Sequence, residues 1–443
     1  MATGENELCL NKNILFCVRK EKNDRNLVQI NYLEQNFCGK IVTNTTELDT
    51  IGNNTIIYIY GDIKEILDKI ENKDKKTFYV ISELSYNYDT LDENVTIINL
   101  GQVPINIHNV GVFFRNFFGN CSGDGLTDGL ADGLTDGLAD RKNYFDLLNN
   151  EHQFQSLTES NKPDQSYRKG LYITKVEKIE SDDKINFNLL RCSTNLNGPT
   201  DSFRETDDEI INKINNISKY FFEQQVEFNH VLAQVYNNIK IEGKDKKAKI
   251  KEHSDKTKDM PRNALIAFCT FYKFNSNSTK EIHHPKDHPK DHPKDNSKDN
   301  MYDYYYKKSS VLTRLRFRLK KCVNDPNLAK SFDVILYPNS VFIMSLSTNR
   351  LYTHEIVPAH LPVDKLPTRL GYVIRCSNTK AVFKDNQTFI EDNGKLIRLE
   401  EPTIEKETLL KDTYYKENST DAVIEYDMVD FSLNKRDYLK PIV

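Results

Sequence analysis

The sequence predicts an α+β protein in which a small α/β domain precedes an antiparallel jelly roll, or double-stranded β-helix. Before residue 120, apolar runs alternate with a helical segment, which is typical of an α/β unit. Further along, an amphipathic helix is followed by many short strand-like runs with turns between them, which is typical of two packed antiparallel sheets. The predicted divisions are an α/β domain at 1–120, an Asp/Gly loop at 121–142, a jelly roll at 143–400 with a disordered insert at 275–308, and a C-terminal extension at 401–443.

The N-terminal part contains four short apolar runs that we predict to be buried strands of a largely parallel sheet. They lie at residues 13–18, 55–60, 77–81 and 95–100. A short amphipathic helix is predicted at 63–70. Because no glycine-rich phosphate-binding loop occurs here, the sequence assigns no chemistry to this domain, and a docking or scaffolding role is predicted.

The C-terminal part begins with a predicted helix at 206–222, where apolar residues recur every three or four positions. These residues are Ile210, Ile211, Ile214, Ile217 and Phe221. Strands are then predicted at 231–236, 265–272, 311–319, 333–337, 341–345 and 370–376. This succession of short strands is the basis of the jelly-roll prediction.

Two low-complexity segments are predicted to lie outside the packed core. The first, 123–140, repeats Asp-Gly-Leu-Thr/Ala, and its period does not match the calcium-binding nonapeptide form. The second repeats His-Pro-Lys-Asp from His284, and its prolines oppose regular structure. Its histidines offer an alternative role as opportunistic metal ligands, at His283, His284, His288 and His292. Both segments bury little apolar surface, so solvated spacers are predicted.

Composition predicts a soluble, intracellular protein without a membrane partner. The formal net charge of −4 gives no global basic field that would indicate nucleic acid. No stretch approaches the roughly 18 apolar residues that a membrane-spanning helix needs, and the first residues lack the order of a signal peptide. The eight cysteines are scattered and form no Cys-x-x-Cys pair, which disfavours a disulfide framework or a thiolate zinc site.

A His-x-Asp motif at His253 and Asp255 is the first candidate for chemistry. Strand positions i and i+2 share a face, so both side chains are expected to point the same way. A second histidine, His354, follows the apolar run at 341–345. Two histidines and one carboxylate form the facial triad that binds non-haem Fe(II) and leaves coordination positions open. The motif alone is a weak signal, because such tripeptides are common.

Arg369 and Arg375 supply the second part of the pattern. Six residues apart on a predicted strand, they are expected to share a face. A guanidinium group in a semi-buried barrel is costly unless it meets an anion, and a dicarboxylate such as 2-oxoglutarate can bind it through two hydrogen bonds. The alternative is that both arginines lie on a solvated strand face.

The order of these elements resembles that of the AlkB-like 2-oxoglutarate/Fe(II)-dependent dioxygenases. In that family a strand of the type Asn-x-Tyr precedes His-x-Asp, and an Arg-rich strand, a distal histidine and Arg-x5-Arg follow. Here Gln234 and Tyr236 end the corresponding first strand, and the segment 314–320, Arg-Leu-Arg-Phe-Arg-Leu-Lys, resembles the Arg-rich strand. The resemblance covers about residues 185–380.

The resemblance implies a role for each matching residue. His253, Asp255 and His354 would hold Fe(II), and no catalytic residue beyond these ligands is implied. Arg369 would bind the distal carboxylate of 2-oxoglutarate with help from Tyr236, and Arg375 would lie near its metal-bound end. Gln234 stands where the family usually has asparagine.

Two departures concern the substrate side of the resemblance. Gly371 replaces another asparagine, and Thr257 replaces an acidic residue that nucleic-acid repair members often carry. The chain also has no tryptophan, so stacking on a base would rest on tyrosine, phenylalanine or histidine. Despite these departures, the reaction that the resemblance implies is that of the family, oxidative hydroxylation or demethylation of a nucleic acid. A protein side-chain hydroxylase and a catalytically silent binding module remain the alternatives.

Overall fold

The computed structural model is a mixed α+β structure with several sheets, built mainly from strands. It describes residues 4–17, 26–52, 54–88, 93–119, 142–157, 166–181, 183–191, 196–274, 302–304 and 309–443. Apart from residue 142 and residues 302–304, the predicted Asp/Gly loop at 121–142 and the predicted insert at 275–308 lie outside the described residues, and so do all four histidines of the second repeat.

The N-terminal part contains the predicted parallel sheet. Its five strands are β1 (Asn13–Cys17), β2 (Lys40–Val42), β3 (Ile56–Asp62), β4 (Thr77–Tyr86) and β5 (Val95–Ile98), in the order β2-β1-β3-β4-β5 with parallel neighbours throughout. Short apolar runs form buried strands here because both faces of a parallel sheet are covered. On one face, the helices Thr45–Asp49 and Ile63–Asp68 contribute to a separate apolar core with Phe16, Ile57 and Phe78.

A second, larger sheet carries most of the predicted C-terminal strands. Its order is β12-β9-β13-β24-β17-β22-β7-β6, with β8 beside β9. The strands are β6 (Ile105–Ile107), β7 (Gly111–Phe114), β8 (Gln155–Ser156), β9 (Arg168–Thr174), β12 (Asp201–Ser202), β13 (His230–Tyr236), β17 (Leu265–Lys273), β22 (Ser340–Ser345) and β24 (Thr368–Arg375). Strands β6 and β7 come before the predicted boundary at 120, yet they extend this sheet through the pairing of β7 with β22.

A four-stranded antiparallel sheet packs against one face of the large sheet. It consists of β16 (Ile250–His253), β23 (Tyr352–Val357), β20 (Arg314–Leu319) and β21 (Ser331–Ile335), in the order β16-β23-β20-β21. Phe317 on β20 lies 5.5 Å, between ring centroids, from Phe342 on β22. His354 on β23 lies 5.4 Å from Phe268 on β17, so the main apolar core fills the space between the two sheets.

The remaining strands form a third sheet and two hairpins. The third sheet has the order β10-β11-β25-β26-β27, and its strands are β10 (Glu177–Ile179), β11 (Lys184–Leu189), β25 (Thr379–Lys384), β26 (Gln387–Asp392) and β27 (Lys395–Arg398). The hairpins pair β14 (Ile239–Ile241) with β15 (Lys244–Lys246), and β18 (Asp303–Tyr304) with β19 (Ser309–Ser310). The other α-helices are Leu27–Asn36, Tyr144–Glu151, Glu205–Ser218, Leu346–Leu351 and Ile404–Ser419, and short 3-10 helices lie at Lys73–Lys75, Leu100–Gln102, Val363–Lys365 and Lys435–Tyr438.

Two helices cover the other face of the large sheet. Helix Glu205–Ser218 buries the four predicted isoleucines, so this amphipathic helix is confirmed, although it ends at Ser218 rather than at residue 222. Helix Tyr144–Glu151 stacks Tyr144 on Phe271 of β17 with a ring-centroid distance of 5.3 Å. The large sheet is therefore covered by helices on one face and by the four-stranded sheet on the other.

A buried charged cluster joins these helices to strand β24. His152 Nδ1 lies 2.8 Å from Asp201 Oδ2, and its Nε2 lies 2.8 Å from Asp207 Oδ2. Because carboxylates only accept hydrogen bonds, both ring nitrogens donate, and the imidazole is charged. Burial opposes this charge, but the hydrogen bonds and attraction of the two carboxylates outweigh burial and raise the pKa of His152 to about 9. The Tyr372 hydroxyl on β24 donates to Asp207 Oδ1 at 2.6 Å.

This cluster predicts a loss of stability at alkaline pH. The folded pKa of His152 lies above its usual value of 6.5, so its contribution is complete below about pH 6.5 and disappears as the pH rises toward 9. A shift of this size corresponds to about 3 kcal/mol in the free energy of unfolding. Urea unfolding at pH 6 and pH 9.5 measures it, with His152→Gln as the variant that lacks a titrating ring.

The quantity to compare is the change in the free energy of unfolding between pH 6 and pH 9.5, in wild type and in His152→Gln. Burial lowers the pKa values of Lys258 and Lys320 to about 8, and lysines shifted downward add stability as the pH rises. Their effect cancels between the two proteins. Equal pH dependence in wild type and variant would contradict a charged His152.

Candidate metal centre

The end of strand β16 and the middle of strand β23 bring two histidines together. His253 is paired directly with His354 across these antiparallel strands, and their ring centroids lie 4.5 Å apart. Burial alternates along β23, so His354 is buried and points toward the large sheet. After His253 the chain leaves the sheet as a loop, 254–259, which contains Asp255.

The three predicted ligands converge on one point. One potential ligand atom from each of His253, Asp255 and His354 lies within 4.8 Å of the others, and His253 Nε2 is 3.7 Å from Asp255 Oδ1. The structure thus brings together the three residues that the His-x-Asp motif and the distal histidine predicted. Asp255 and His354 are buried, whereas the side chain of His253 is 34% exposed, so the cluster is reachable from solvent on that side.

The protonation states of the three side chains suit a divalent metal. His253 Nδ1 lies 2.8 Å from the Lys251 carbonyl, which only accepts, so Nδ1 carries the proton and the lone pair is on Nε2. Burial lowers the pKa of His354 to about 3, and the ring is neutral. Burial alone would raise the pKa of Asp255, but the Arg375 guanidinium outweighs burial and lowers the pKa to about 2, so the group is a carboxylate.

Arg375 of strand β24 fixes the carboxylate of Asp255. Its Nε donates to Asp255 Oδ2 and its Nη2 to Asp255 Oδ1, both at 2.9 Å. The two residues are 4% and 5% exposed, so this is a buried, two-point ion pair. Asn349 holds the same residue from the other side, because its Oδ1 accepts from Asp255 N at 2.8 Å and its Nδ2 donates to Asp255 O at 3.0 Å.

Arg369 lies on the same face of β24 but has a different environment. It is 3% exposed, and its Nε and Nη1 have no hydrogen-bond partner among the described residues. Its guanidinium lies over the ring of Tyr236, 4.4 Å from the centroid, and Tyr236 is the residue paired with it on β13. A buried guanidinium with two unpaired nitrogens is costly, and an anion would remove that cost.

Gly371 leaves the space that the Arg369 guanidinium occupies. A Cβ atom at Gly371 would lie 2.8 Å from Arg369 Nη2 and 3.2 Å from Tyr236 Cε2. Gly371, which stands where the family usually has asparagine, therefore lies beside Arg369. A larger residue at this position would displace the guanidinium.

Two hydroxyl groups that the sequence analysis missed lie beside this position. Thr270 on β17 is paired with Gly371 on one side and with Ser340 of β22 on the other. Both residues are fully buried, and neither Thr270 Oγ1 nor Ser340 Oγ has a hydrogen-bond partner among the described atoms. The sequence signal for these two residues was a hydroxyl within an otherwise apolar strand. Such a hydroxyl indicates a polar partner nearby, because buried hydroxyls normally form hydrogen bonds. Arg369, Thr270 and Ser340 form one polar patch on an apolar sheet face.

The other predicted site residues have partners within the protein. The Tyr236 hydroxyl donates to Gln234 Oε1 at 3.0 Å, which links the two residues of the Asn-x-Tyr-like strand. Thr257 donates through its backbone N–H to Glu417 Oε1 at 3.1 Å, and its hydroxyl donates to the same oxygen. An acidic side chain thus reaches position 257 from the C-terminal helix.

The Arg-rich strand β20 carries its positive charge on the outer face of the four-stranded sheet. Arg316 donates to both oxygens of Asp333, and Arg318 pairs with Glu252 and Glu355 at 2.7 Å. Each arginine has an acidic neighbour, and partly exposed pairs of this kind contribute little stability. The positive charge of the β20 arginines is therefore neutralised by neighbouring carboxylates.

A second cluster of potential ligands is explained without a metal. Glu151, His152 and Asp207 also bring ligand atoms within 4.8 Å. Both ring nitrogens of His152 already donate to carboxylates, so neither offers a lone pair.

Comparison with known proteins gives a weak similarity. No protein-family model matches the chain, and no curated protein matches it. Among solved structures, one described as "The structure of OsALKBH1" matches with 12% sequence identity over 46% of this chain and 80% of that chain, with a TM-score of 0.23. A TM-score of this size is too low to indicate a shared fold. Within the part of the chain that the structure describes, no helix combines the length and the apolar character needed to cross a membrane.

Proposed function

We propose that this protein is an Fe(II)- and 2-oxoglutarate-dependent dioxygenase of the AlkB-like type. In this proposal the large sheet and the four-stranded sheet form a double-stranded β-helix, and the active site lies between them. The observation that carries the proposal is that potential metal ligands and two buried arginines face each other from the two sheets. A two-histidine, one-carboxylate cluster stands opposite a strand with one arginine bound to that carboxylate and another, Arg369, whose buried Nε and Nη1 have no hydrogen-bond partner among the described residues.

His253, Asp255 and His354 would hold Fe(II). The free lone pair on His253, the neutral His354 and the ionised Asp255 support this assignment, because metal ligands must be deprotonated. Arg375 would orient the Asp255 carboxylate, as partners of metal ligands commonly do. When bound, Fe(II) and 2-oxoglutarate supply the activation of dioxygen for oxidation of a substrate C–H bond.

Arg369 would bind the distal carboxylate of 2-oxoglutarate. Its Nε and Nη1 have no partner among the described residues and lie on different edges of the guanidinium, so a carboxylate would accept two parallel hydrogen bonds from one of these edges together with Nη2. The unpaired hydroxyls of Thr270 and Ser340 would add donors beside it, and Tyr236 would fix the arginine by stacking. The surrounding apolar residues of the sheet face would exclude water from this patch.

For the substrate we propose a nucleic acid, on the resemblance of the motif order given above. Substrate would approach on the side of His253, the partly exposed member of the cluster. The arginines of β20 already pair with carboxylates, so contacts to phosphates would have to come from other residues. Hydroxylation of an N-methyl group releases formaldehyde, whereas hydroxylation of a protein side chain adds one oxygen.

Turnover of 2-oxoglutarate tests the proposed reaction. Wild type is expected to form succinate with Fe(II), ascorbate and dioxygen, and His253→Ala is expected to lose at least about 100-fold in rate because a ligand is removed. His253 is the ligand to replace, since it is the most exposed of the three and its loss leaves the Asp255–Arg375 pair intact.

Formaldehyde release from methylated oligonucleotides, measured beside mass gain of peptides, separates the two substrate classes. A control variant, His360→Ala, removes an exposed histidine outside the cluster and should retain wild-type turnover. If wild type formed no succinate, the catalytically silent alternative would replace this proposal. If His253→Ala turned over at the wild-type rate, His253 would not be a metal ligand of the active site.

A further inference from the structure

The loop that carries Asp255 is held by the C-terminal helix Ile404–Ser419. Ser254 N donates to Asn418 Oδ1 at 2.7 Å, and Thr257 N donates to Glu417 Oε1 at 3.1 Å. These contacts join residues 164 and 160 positions apart in the sequence. The loop itself belongs to no strand, so two of its backbone donors depend on side chains of this helix.

The helix end is itself fixed in place. Glu417 is 7% exposed, and its second oxygen accepts from the Tyr426 hydroxyl at 2.6 Å. Lys320 Nζ donates to the carbonyl oxygens of Glu417 at 2.6 Å and Thr420 at 3.0 Å. A cation at the C-terminal end of a helix also interacts favourably with the helix dipole. The C-terminal end of this helix is therefore held in place by Tyr426 and by the buried Lys320.

The two contacts bracket Asp255. One fixes the amide immediately before it, and the other fixes the amide two positions after it. Asn349 binds both the N–H and the C=O of Asp255 between them. A ligand atom must be held within a few tenths of an ångström of its coordination geometry, and residues behind the ligands provide that precision.

We propose that Glu417 and Asn418 are positioning residues of the metal centre, which makes the C-terminal helix part of the active site. The inference rests on the proposed function, because it assumes that Asp255 binds Fe(II). It assigns the C-terminal end of helix Ile404–Ser419 a role in metal binding.

Paired variants separate this role from a purely structural one. Glu417→Ala and Asn418→Leu remove the acceptors, whereas Glu417→Gln and Asn418→Asp retain an oxygen at the same position. Glu407→Ala is the matched control, because Glu407 lies on the same helix and pairs only with Lys411 among the described residues. The readouts are Fe(II) affinity by anaerobic calorimetry and amide exchange of the loop 254–257 in metal-free protein.

The acceptor-free variants are expected to weaken Fe(II) binding by about 10- to 100-fold, the usual effect of removing a residue behind a metal ligand. Their loop amides should exchange faster, and the acceptor-retaining variants and Glu407→Ala should match wild type. Unchanged Fe(II) affinity and loop exchange in both acceptor-free variants would overturn the inference, even if their melting temperatures fell.

A failure of the proposed function gives a different result. If wild type bound no Fe(II), the proposed function would fail, while faster loop exchange in the variants would still establish that the helix positions the loop. Asn418→Leu keeps the test decisive if Glu417→Ala does not fold, since Asn418 is partly exposed at the end of the helix.

Discussion

Replacing Arg375 with methionine is expected to lower the free energy of unfolding by about 3–5 kcal/mol, the cost of breaking a buried ion pair by removing one partner. The variant leaves the Asp255 carboxylate, 5% exposed, without the guanidinium that neutralises it. Urea unfolding of the metal-free protein measures the loss. Fe(II) affinity should fall as well, because Asp255 loses its orientation.

Arg316→Met provides a matched control for this prediction. Arg316 also makes a two-point contact with a carboxylate, Asp333, but both side chains are more than one quarter exposed. The same substitution there is expected to cost no more than about 1 kcal/mol. A loss as small as this in Arg375→Met would show that Arg375 is not needed to neutralise Asp255.

Arg369→Met is expected to weaken binding of 2-oxoglutarate by about 3–6 kcal/mol, because it removes two charge-assisted hydrogen bonds. Arg369→Lys keeps the charge but loses the fork of the guanidinium, so a loss of about 2 kcal/mol or more is expected. Fe(II) affinity should remain at the wild-type level in both variants, since no ligand changes. Anaerobic titration of the Fe(II)-loaded protein with 2-oxoglutarate measures the affinity.

The effect of Arg369→Met on stability should be opposite to that of Arg375→Met. Two buried nitrogens of Arg369 have no partner in the part of the chain that the structure describes, so removing Arg369 relieves a desolvation cost instead of creating one. The free energy of unfolding of the ligand-free variant is expected to equal or exceed that of wild type. A loss of several kcal/mol, or unchanged affinity for 2-oxoglutarate, would mean that Arg369 is a structural residue.

The buried strands were the part of the fold that could be predicted from the sequence. Strands β13, β17, β22 and β24 are apolar over most of their length, because both faces of the large sheet are covered, and their predicted bounds agree with the structure to within about two residues. The parallel N-terminal sheet was predictable for the same reason. Strands such as β10 and β11 carry charged and amide side chains, so no apolar run marked them.

The candidate site was predictable where the motif is local. His253 and Asp255 are two residues apart, and the insert at 275–308 explains their distance in sequence from His354, because it lies between β17 and β20. Arg369 and Arg375 were predicted to share a face, and they do. The roles of these residues stay predictions.

The contacts from distant parts of the chain could not be predicted. A hydroxyl residue within each apolar run was visible in the sequence, but the pairing of Thr270 with Ser340 was not, because it depends on β17 and β22 being neighbours in the sheet. Glu417 and Asn418 lie on a helix whose exposed face includes Ile404, Leu409 and Tyr415, so its apolar pattern does not indicate which side is buried. Sequence spacing carries no information about such pairings, because they depend on the tertiary fold.

The central claim is that one Fe(II) and one 2-oxoglutarate bind together between the two sheets. Anaerobic addition of 2-oxoglutarate to the Fe(II)-loaded protein tests it most directly, because bidentate binding of a 2-oxo acid to Fe(II) gives a visible charge-transfer absorption band. The band is expected in wild type with one equivalent of each component, in Arg369→Met only at much higher 2-oxoglutarate concentration, and not in His354→Ala. A wild-type protein that takes up Fe(II) without developing the band, or a His354→Ala variant that develops it fully, would contradict the claim.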